Sequence, residues 1–218
     1  MAIRILMAED HVLVRQGIRS VLDQVDGLEV VGEASDGCAA IQLAAELRPD
    51  VVVMDIAMPG VNGVEATRQI KAASPRTMVL VLSAYDDDAY VFALLEAGAA
   101  GYLLKSAPVE ELAAAIHSVN EGESVLSPSI ARKVLTRFTR SHGEGPDTAA
   151  PLSAREMEVL RFAASGLSNR GIAQELSLSP RTVQLHLEHI FEKMDVGSRT
   201  EAVVTALKRG WLRLEEIQ

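Results

Sequence analysis

Glu9, Asp10, Asp55, Ser83 and Lys105 are the side chains of this 218-residue chain whose types and placement could do chemistry together. Each stands at the end of a short apolar run. Ile3-Arg4-Ile5-Leu6-Met7 leads to the acid pair, Val51-Val52-Val53-Met54 to Asp55, Met78-Val79-Leu80-Val81-Leu82 to Ser83, and Gly101-Tyr102-Leu103-Leu104 to Lys105. A single acid in such a place is more often a cap or a surface charge, so the argument rests on all five. Three carboxylates brought together repel unless a cation or a proton intervenes. Oxygen-only donors without a Cys or His cluster suit a hard ion, Mg²⁺, commonly held by one or two carboxylates with phosphate oxygens and water. Lys105 could pair with Asp55 or with a phosphoryl group on it, and Ser83 could donate its hydroxyl to a phosphoryl oxygen. The chemistry these groups support is transfer of a phosphoryl group to the Asp55 carboxylate, with Mg²⁺ and Lys105 neutralising the developing charge.

Those side chains converge only if the runs are parallel strands with their carboxyl ends on one edge. The valine run is too short for a buried helix and β-branched enough for a strand covered on both faces. Between strands near 3–7, 28–34, 51–54, 78–83 and 101–105 lie helical spacings near 12–24, 38–47, 63–72 and 87–97, with another at 108–120. Breakers fall where the elements should stop: Arg48-Pro49-Asp50, Ser74-Pro75 and Gly98. Regular alternation of this kind predicts an α/β doubly wound five-stranded parallel sheet, which binds ligands at the carboxyl ends of its strands.

Beyond residue 120 the pattern changes. Residues 128–140 predict a further helix with four basic residues, and 141–150 lack both apolar period and bulk, which marks a linker. The rest reads as a small all-α unit. Ser153-Ala-Arg-Glu156 and Ser198-Arg-Thr-Glu201 are capping boxes, and Ser179-Pro180 supplies an N-cap and an N1 proline. Short connections at 166–170 and 177–180 join helices near 169–176 and 181–194 as a helix-turn-helix, with the second helix presented to a major groove. The expected division is therefore 1–122, a connecting helix and linker at 123–150, and 151–218.

Charge is uneven along the chain. Residues 1–124 hold 8 Lys and Arg against 19 Asp and Glu, whereas 151–218 hold 9 of each sign. An acidic first part suits a metal ion and a basic partner better than nucleic acid. The single cysteine, Cys38, excludes an internal disulfide, fits a reducing cytoplasmic setting, and reads as a small buried apolar residue. No secretory signal opens the chain and no stretch approaches a bilayer span, so no membrane association is expected. His11 could tune the acid pair, but a packed or solvated histidine is the commoner case. Asp86-Asp87-Asp88 reads as acids at a helix start, and His142 as a solvated linker residue.

Glu9-Asp10, Asp55 with Met58-Pro59-Gly60, Ser83-Ala84 and Gly101-Tyr102-Leu103-Leu104-Lys105 together resemble the receiver domain of bacterial two-component response regulators, with its CheY-like fold. The resemblance implies a sensor histidine kinase that donates its phosphoryl group to Asp55. It also implies Mg²⁺ held by Asp10, Asp55 and the backbone carbonyl of Ala57, with Glu9 acting directly or through water. Ser83 and Tyr102 would be its switch pair, and the domain would promote its own phosphorylation and dephosphorylation without being an enzyme. Glu9, where many receivers have Asp, should lengthen the reach without removing the site.

The segment Leu152-Ser-Ala-Arg-Glu-Met-Glu-Val-Leu160, with Gly166-Leu-Ser-Asn169, Ile172-Ala173, and Thr182-Val183 with His186 and Lys193, is similar to the four-helix domain of LuxR-type regulators. The two halves together resemble a NarL/FixJ-class response regulator. That implies double-stranded promoter DNA as a partner, a homodimer on phosphorylation, and contact with RNA polymerase. The expected DNA-facing residues are Ser168, Asn169, Arg170, Ser179, Arg181, Thr182, Gln184, Leu185, Glu188, Lys193 and Arg199. Gln184 could pair with adenine and Glu188 could accept from cytosine N4. Gln184, where the family commonly has Lys, and the balanced charge weaken phosphate attraction, so modest monomer affinity is expected. Two other readings compete. A phosphorylation-independent regulator would leave the acid site idle. An aspartyl-nucleophile phosphatase would need a second acid at position 57, which is Ala. A nucleotide-binding fold lacks its G-x-G-x-x-G after the first strand.

Overall fold

The computed structural model describes residues 2–84, 88–126 and 152–212. Its first unit is an all-parallel sheet ordered β2-β1-β3-β4-β5-β6, formed by Ile3–Ala8 (β1), Leu28–Ala34 (β2), Val51–Met54 (β3), Met78–Ser83 (β4), Gly101–Leu104 (β5) and Val125–Leu126 (β6). Helices Val12–Leu22 (α1), Gly37–Leu47 (α2), Gly63–Ala73 (α3), Asp88–Glu96 (α4) and Val109–Asn120 (α5) connect the strands. The β-branched and apolar runs form strands because both faces are covered. Every residue of β3 is buried, and separate apolar clusters fill the two sides around Leu6, Val52 and Val81 and around Ile5, Val53 and Leu80.

The sheet has six strands where five were expected. Val125 and Leu126 pair with Gly101 and Tyr102, but two half-buried residues after Gly122-Glu123-Ser124 carry too little alternation to announce a strand. The α1 helix ends at Leu22, and its first turn stands off the sheet with Val12, Leu13 and Val14 exposed. Val14, at a position the helical spacing near 12–24 would place with the apolar face of Ile18, Val21 and Leu22, therefore does not join the core. In α2 the buried positions are Gly37, Ala40 and Ala44, which leaves Cys38 exposed and not buried as expected. An alanine-rich helix offers little contrast between its faces, so its rotation was not fixed by pattern.

The second unit is helical: Ala154–Ala164 (α6), Asn169–Leu176 (α7), Pro180–Met194 (α8) and Arg199–Lys208 (α9), packed around Leu160, Ile172, Val183, Leu187, Ile190 and Ala206. The Ser153–Glu156 capping box forms in full. At Ser198 only half of the expected box forms. Ser198 accepts from the Glu201 N–H, but the Glu201 carboxylate turns to the Gly197 N–H at 2.7 Å. The predicted helix at 128–140 and the linker at 141–150, His142 included, lie outside the described residues, as do Asp86 and Asp87.

Candidate metal centre and nucleic-acid interface

The strand order reverses between β1 and β3, and the crevice this opens at their carboxyl ends is where the acids stand. The Asp55 N–H donates to Ala8 O at 2.8 Å, so the chain after β3 stays registered with the end of β1. Glu9 is 3% exposed and Asp55 is 4% exposed. One carboxylate oxygen each from Glu9, Asp10 and Asp55, with a His11 ring nitrogen, lie within 4.8 Å of one another. Asp10 Oδ1 is buried and makes no hydrogen bond, although His11 Nδ1 lies 2.9 Å away. A buried carboxylate oxygen without a donor, beside two more carboxylates, is what a hard cation relieves.

Lys105 supplies the positive charge. Its Nζ lies 2.7 Å from Glu9 Oε2 and 3.1 Å from Asp55 Oδ2, and its backbone N–H donates to Ser83 O at 2.7 Å, which anchors the end of β5 to β4. Partial burial pulls the Lys105 ammonium down, but the bonds to Glu9 and Asp55 outweigh it and hold it above the usual lysine value. Ser83 ends β4, 1% exposed; Tyr102 lies on β5, fully buried and paired in register with Val81. Ala57, whose carbonyl was expected at the metal, is exposed on the loop after β3. That loop is held tightly: a Cβ on Gly63 would come within 2.2 Å of Asp55 O.

Sequence reasoning missed the brace on the loop after β1. Arg15 donates from Nη1 to Glu9 O and from Nε to Glu33 Oε2 at 3.2 Å, and Arg19 also binds Glu33. An arginine one helical turn past the acids was a signal, but Glu33 on β2 was not recognisable as its partner. His11 is exposed yet within ion-pair distance of both Asp10 and Glu9.

In the helical unit Ser168 caps α7 by accepting from the Gly171 N–H, and Ser179 caps α8 by accepting from the Thr182 N–H. Arg170, Arg181, Leu185 and Glu188 are exposed, Gln184 and Thr182 are half-buried, and Arg181 donates to Gln184 at 3.1 Å. Arg170 stands at the start of α7, Arg181, Thr182 and Gln184 in the first turns of α8, and Leu185 and Glu188 further along it. Three others do not present themselves in that way. Lys193 binds both Glu156 carboxylate oxygens at 2.8 and 2.7 Å. Arg199 is buried and donates to Ala163 O and Leu167 O. Asn169 is buried against the first unit, its N–H on Glu123 and its Nδ2 on Glu121 O. Burial draws the Arg199 guanidinium down to about 10, against the opposing charge of Glu123.

The two units meet through more than Asn169. Ser198 Oγ donates to Ala99 O at 3.1 Å, Thr200 Oγ1 to Ser124 Oγ at 2.6 Å, and Lys208 pairs with Glu96 at 2.7 Å. Among the described residues no helix is long and apolar enough to cross a membrane.

Known proteins share both units. Residues 5–117 match the family described as response regulator receiver domain, and residues 150–206 match the bacterial regulatory proteins of the luxR family. The chain is 42% identical to the transcriptional regulatory protein LiaR of Bacillus subtilis over 94% of this chain and 96% of that one. It is similar to the crystal structure of the response regulator ChrA of a heme-sensing two-component system, at 42% identity, 97% and 99% coverage and a TM-score of 0.53. A structure of two RcsB dimers bound to two parallel DNAs matches at 26% identity, 96% and 99% coverage and a TM-score of 0.57.

Proposed function

The chain belongs to the response regulators that join a receiver domain to a LuxR-family helix-turn-helix domain, and from that premise we propose that Asp55 is its phosphoacceptor and the switch for its DNA binding. Regulators of this family are DNA-binding transcriptional proteins and not classical enzymes. The observation that carries the proposal is the meeting of Glu9, Asp10, Asp55 and Lys105 at one sheet edge.

Glu9, Asp10, Asp55 and the Ala57 carbonyl would hold Mg²⁺, which supplies charge neutralisation for an entering phosphoryl group. The rest is this chain's own work. An Asp55 carboxylate oxygen attacks the phosphorus of a kinase phosphohistidine; the P–N bond breaks, the imidazole leaves, and an acyl phosphate forms on Asp55. Lys105 moves from its present carboxylate pairs toward the new phosphoryl oxygens. Ser83 donates its hydroxyl there, and Tyr102 repacks behind it. Water later attacks the phosphorus of the acyl phosphate, the P–O bond to Asp55 breaks, and inorganic phosphate leaves with the carboxylate restored, so the domain aids its own phosphorylation and dephosphorylation but has no external substrate beyond the donor.

Ser168, Asn169, Arg170, Ser179, Arg181 and Thr182 would meet phosphates, with Gln184, Leu185 and Glu188 facing base edges. Lys193 and Arg199 would act by holding the domain together, since their charges are spent internally. We place the protein in the cytoplasm, where kinase, promoter DNA and RNA polymerase are all reached. A homodimer on paired half-sites would supply the affinity a neutral domain lacks, and the dimers bound to DNA in the RcsB structure support that assembly.

A small-molecule phosphodonor with Mg²⁺, followed by a gel shift on fragments selected from a random DNA pool, tests the switch. The phosphorylated chain should bind at least tenfold tighter and Asp55→Asn should not respond; equal affinity in both states overturns it.

A further inference from the structure

The contact between Glu123 and Asn169 joins an acid of the receiver to a helix end of the other domain. The first N–H groups of a helix lack intrahelical acceptors and carry the positive end of its dipole, which makes them a natural seat for an anion. At α7 two of these donors are accounted for: Gly171 N–H goes to the Ser168 hydroxyl, and Asn169 N–H goes to Glu123 Oε1 at 3.0 Å. The turn after α5 also receives the Asn169 side chain, whose Nδ2 donates to Glu121 O at 2.7 Å, while Arg199 Nη1 approaches Asn169 Oδ1 at 3.4 Å.

In a helix-turn-helix the first helix crosses the DNA backbone, and phosphates are commonly bound by helix N-termini and their flanking hydroxyl and arginine side chains. Here α7 is that first helix, and Ser168, Asn169 and Arg170 flank its start. The base-reading helix α8 is not what the receiver covers, since Arg181, Leu185 and Glu188 are exposed. We propose that the Glu123 carboxylate is a built-in stand-in for a DNA backbone phosphate, seated on the start of α7 so that the receiver and the duplex compete for one anion seat. An anionic oxygen at 3.0 Å from the helix N–H is what a bound phosphate would present there.

The inhibition this describes removes the grip on the backbone and leaves the base-reading surface free. It also suits the charge pattern, because the acidic receiver gains by placing its own carboxylate where DNA would otherwise sit. Relief by phosphorylation rests on the proposed function: α5 runs from just past Lys105 to the turn that holds Glu121 and Glu123, so a shift of α5 would withdraw both. The seat itself needs no phosphorylation, and that separates the two readings.

The experiment uses the unphosphorylated full-length chain and a labelled random-sequence duplex of about 30 base pairs at low salt, read by fluorescence anisotropy. Glu123→Gln and Glu123→Ala are compared with Glu110→Gln, which makes the same charge change at the exposed far end of α5. Both Glu123 variants should bind about tenfold tighter than wild type, the size expected of one charge-assisted hydrogen bond, and Glu110→Gln less than twofold. In ¹H–¹⁵N spectra the Asn169 amide should shift in Glu123→Gln, and in the wild type when duplex is added. Glu123 variants that bind no better than Glu110→Gln, or an Asn169 amide indifferent to both changes, overturn the proposal. A chain whose Glu123 variants bind tighter while Asp55 phosphorylation changes nothing keeps this proposal and loses the switch.

Discussion

Lys105 lies closer to Glu9 than to Asp55, 2.7 Å against 3.1 Å, so it divides its charge between two carboxylates of the acid cluster. A cation entering that cluster must share those carboxylates with an ammonium already there. Two positive charges a few ångströms apart repel by several kcal/mol even at an effective dielectric near ~20. Lys105→Ala should therefore bind Mg²⁺ about tenfold more tightly by calorimetry, while its phosphorylated form fails to gain DNA affinity. Weaker Mg²⁺ binding in the variant would show that Lys105 organises the acids more than it competes for them.

Gly63 and Gly17 make a contrasting pair. A Cβ at Gly63 would lie 2.2 Å from Asp55 O and 2.9 Å from Ile56 Cα, both backbone atoms that cannot swing aside. Gly63→Ala must then push the loop carrying Asp55 and Ala57, and it should cost about 2 kcal/mol or more with a clear loss of Mg²⁺ affinity. Gly17 is exposed within α1 and meets nothing within 4 Å. Gly17→Ala should stabilise the chain by about 0.5–1 kcal/mol with Mg²⁺ affinity unchanged. Urea melts and calorimetry on both variants give the answer.

The acid site was legible in the sequence because a parallel sheet converts order along the chain into position in space. Once the apolar runs are strands, their last residues share an edge, and Glu9, Asp10, Asp55, Ser83 and Lys105 follow. Contacts that depend on rotation or on docking were not legible. Cys38 turned outward because the small residues of α2 give its faces no contrast. Glu201 left its capping box for the Gly197 N–H, a competition that local pattern does not encode. Arg199 and Lys193 have the composition of phosphate contacts, yet one is buried under carbonyls and the other is held by Glu156. Asn169 and Glu123, 46 residues apart, belong to separate domains, and nothing in either segment announces the other.

Glu156 gives the helical domain an acid limit. Burial pushes its carboxyl up, but hydrogen bonds from Lys193 and Ser153 outweigh that and hold it down at about 2, below its ordinary 4.5. A carboxyl lowered on folding stabilises in full above its unfolded value and loses that contribution as pH falls toward the folded value. The wild type should therefore lose stability relative to Glu156→Gln between pH 5 and 2, and the two should differ by a constant amount above pH 5. Thermal melts followed by circular dichroism across that window check the sign. A difference that stays flat down to pH 2 would mean that Lys193 does not hold the carboxylate in solution.

Lys71 predicts the opposite end of the scale. Lys71 is 7% exposed; its ammonium donates to Pro75 O at 2.6 Å and Thr77 O at 2.9 Å, and its side chain lies against Gly98 and against Gly197 just before α9. Burial pulls it down from 10.5 to about 8, while Glu201 opposes that with the one opposite charge facing it among the described residues. A base lowered in the packed state carries its full cost below pH 8, where it is charged both buried and free. The cost is relieved as pH rises from 8 to 10.5, where the buried amine is neutral and the free one is still charged. The wild type should thus gain about 2–3 kcal/mol on Lys71→Met between pH 7 and pH 10, since each tenfold difference in proton affinity between 8 and 10.5 is worth about 1.4 kcal/mol. Denaturant midpoints of the two proteins, measured side by side so that other titrating groups cancel, give the difference directly. A gap that does not change over that window would place Lys71 in contact with water and the two domains apart.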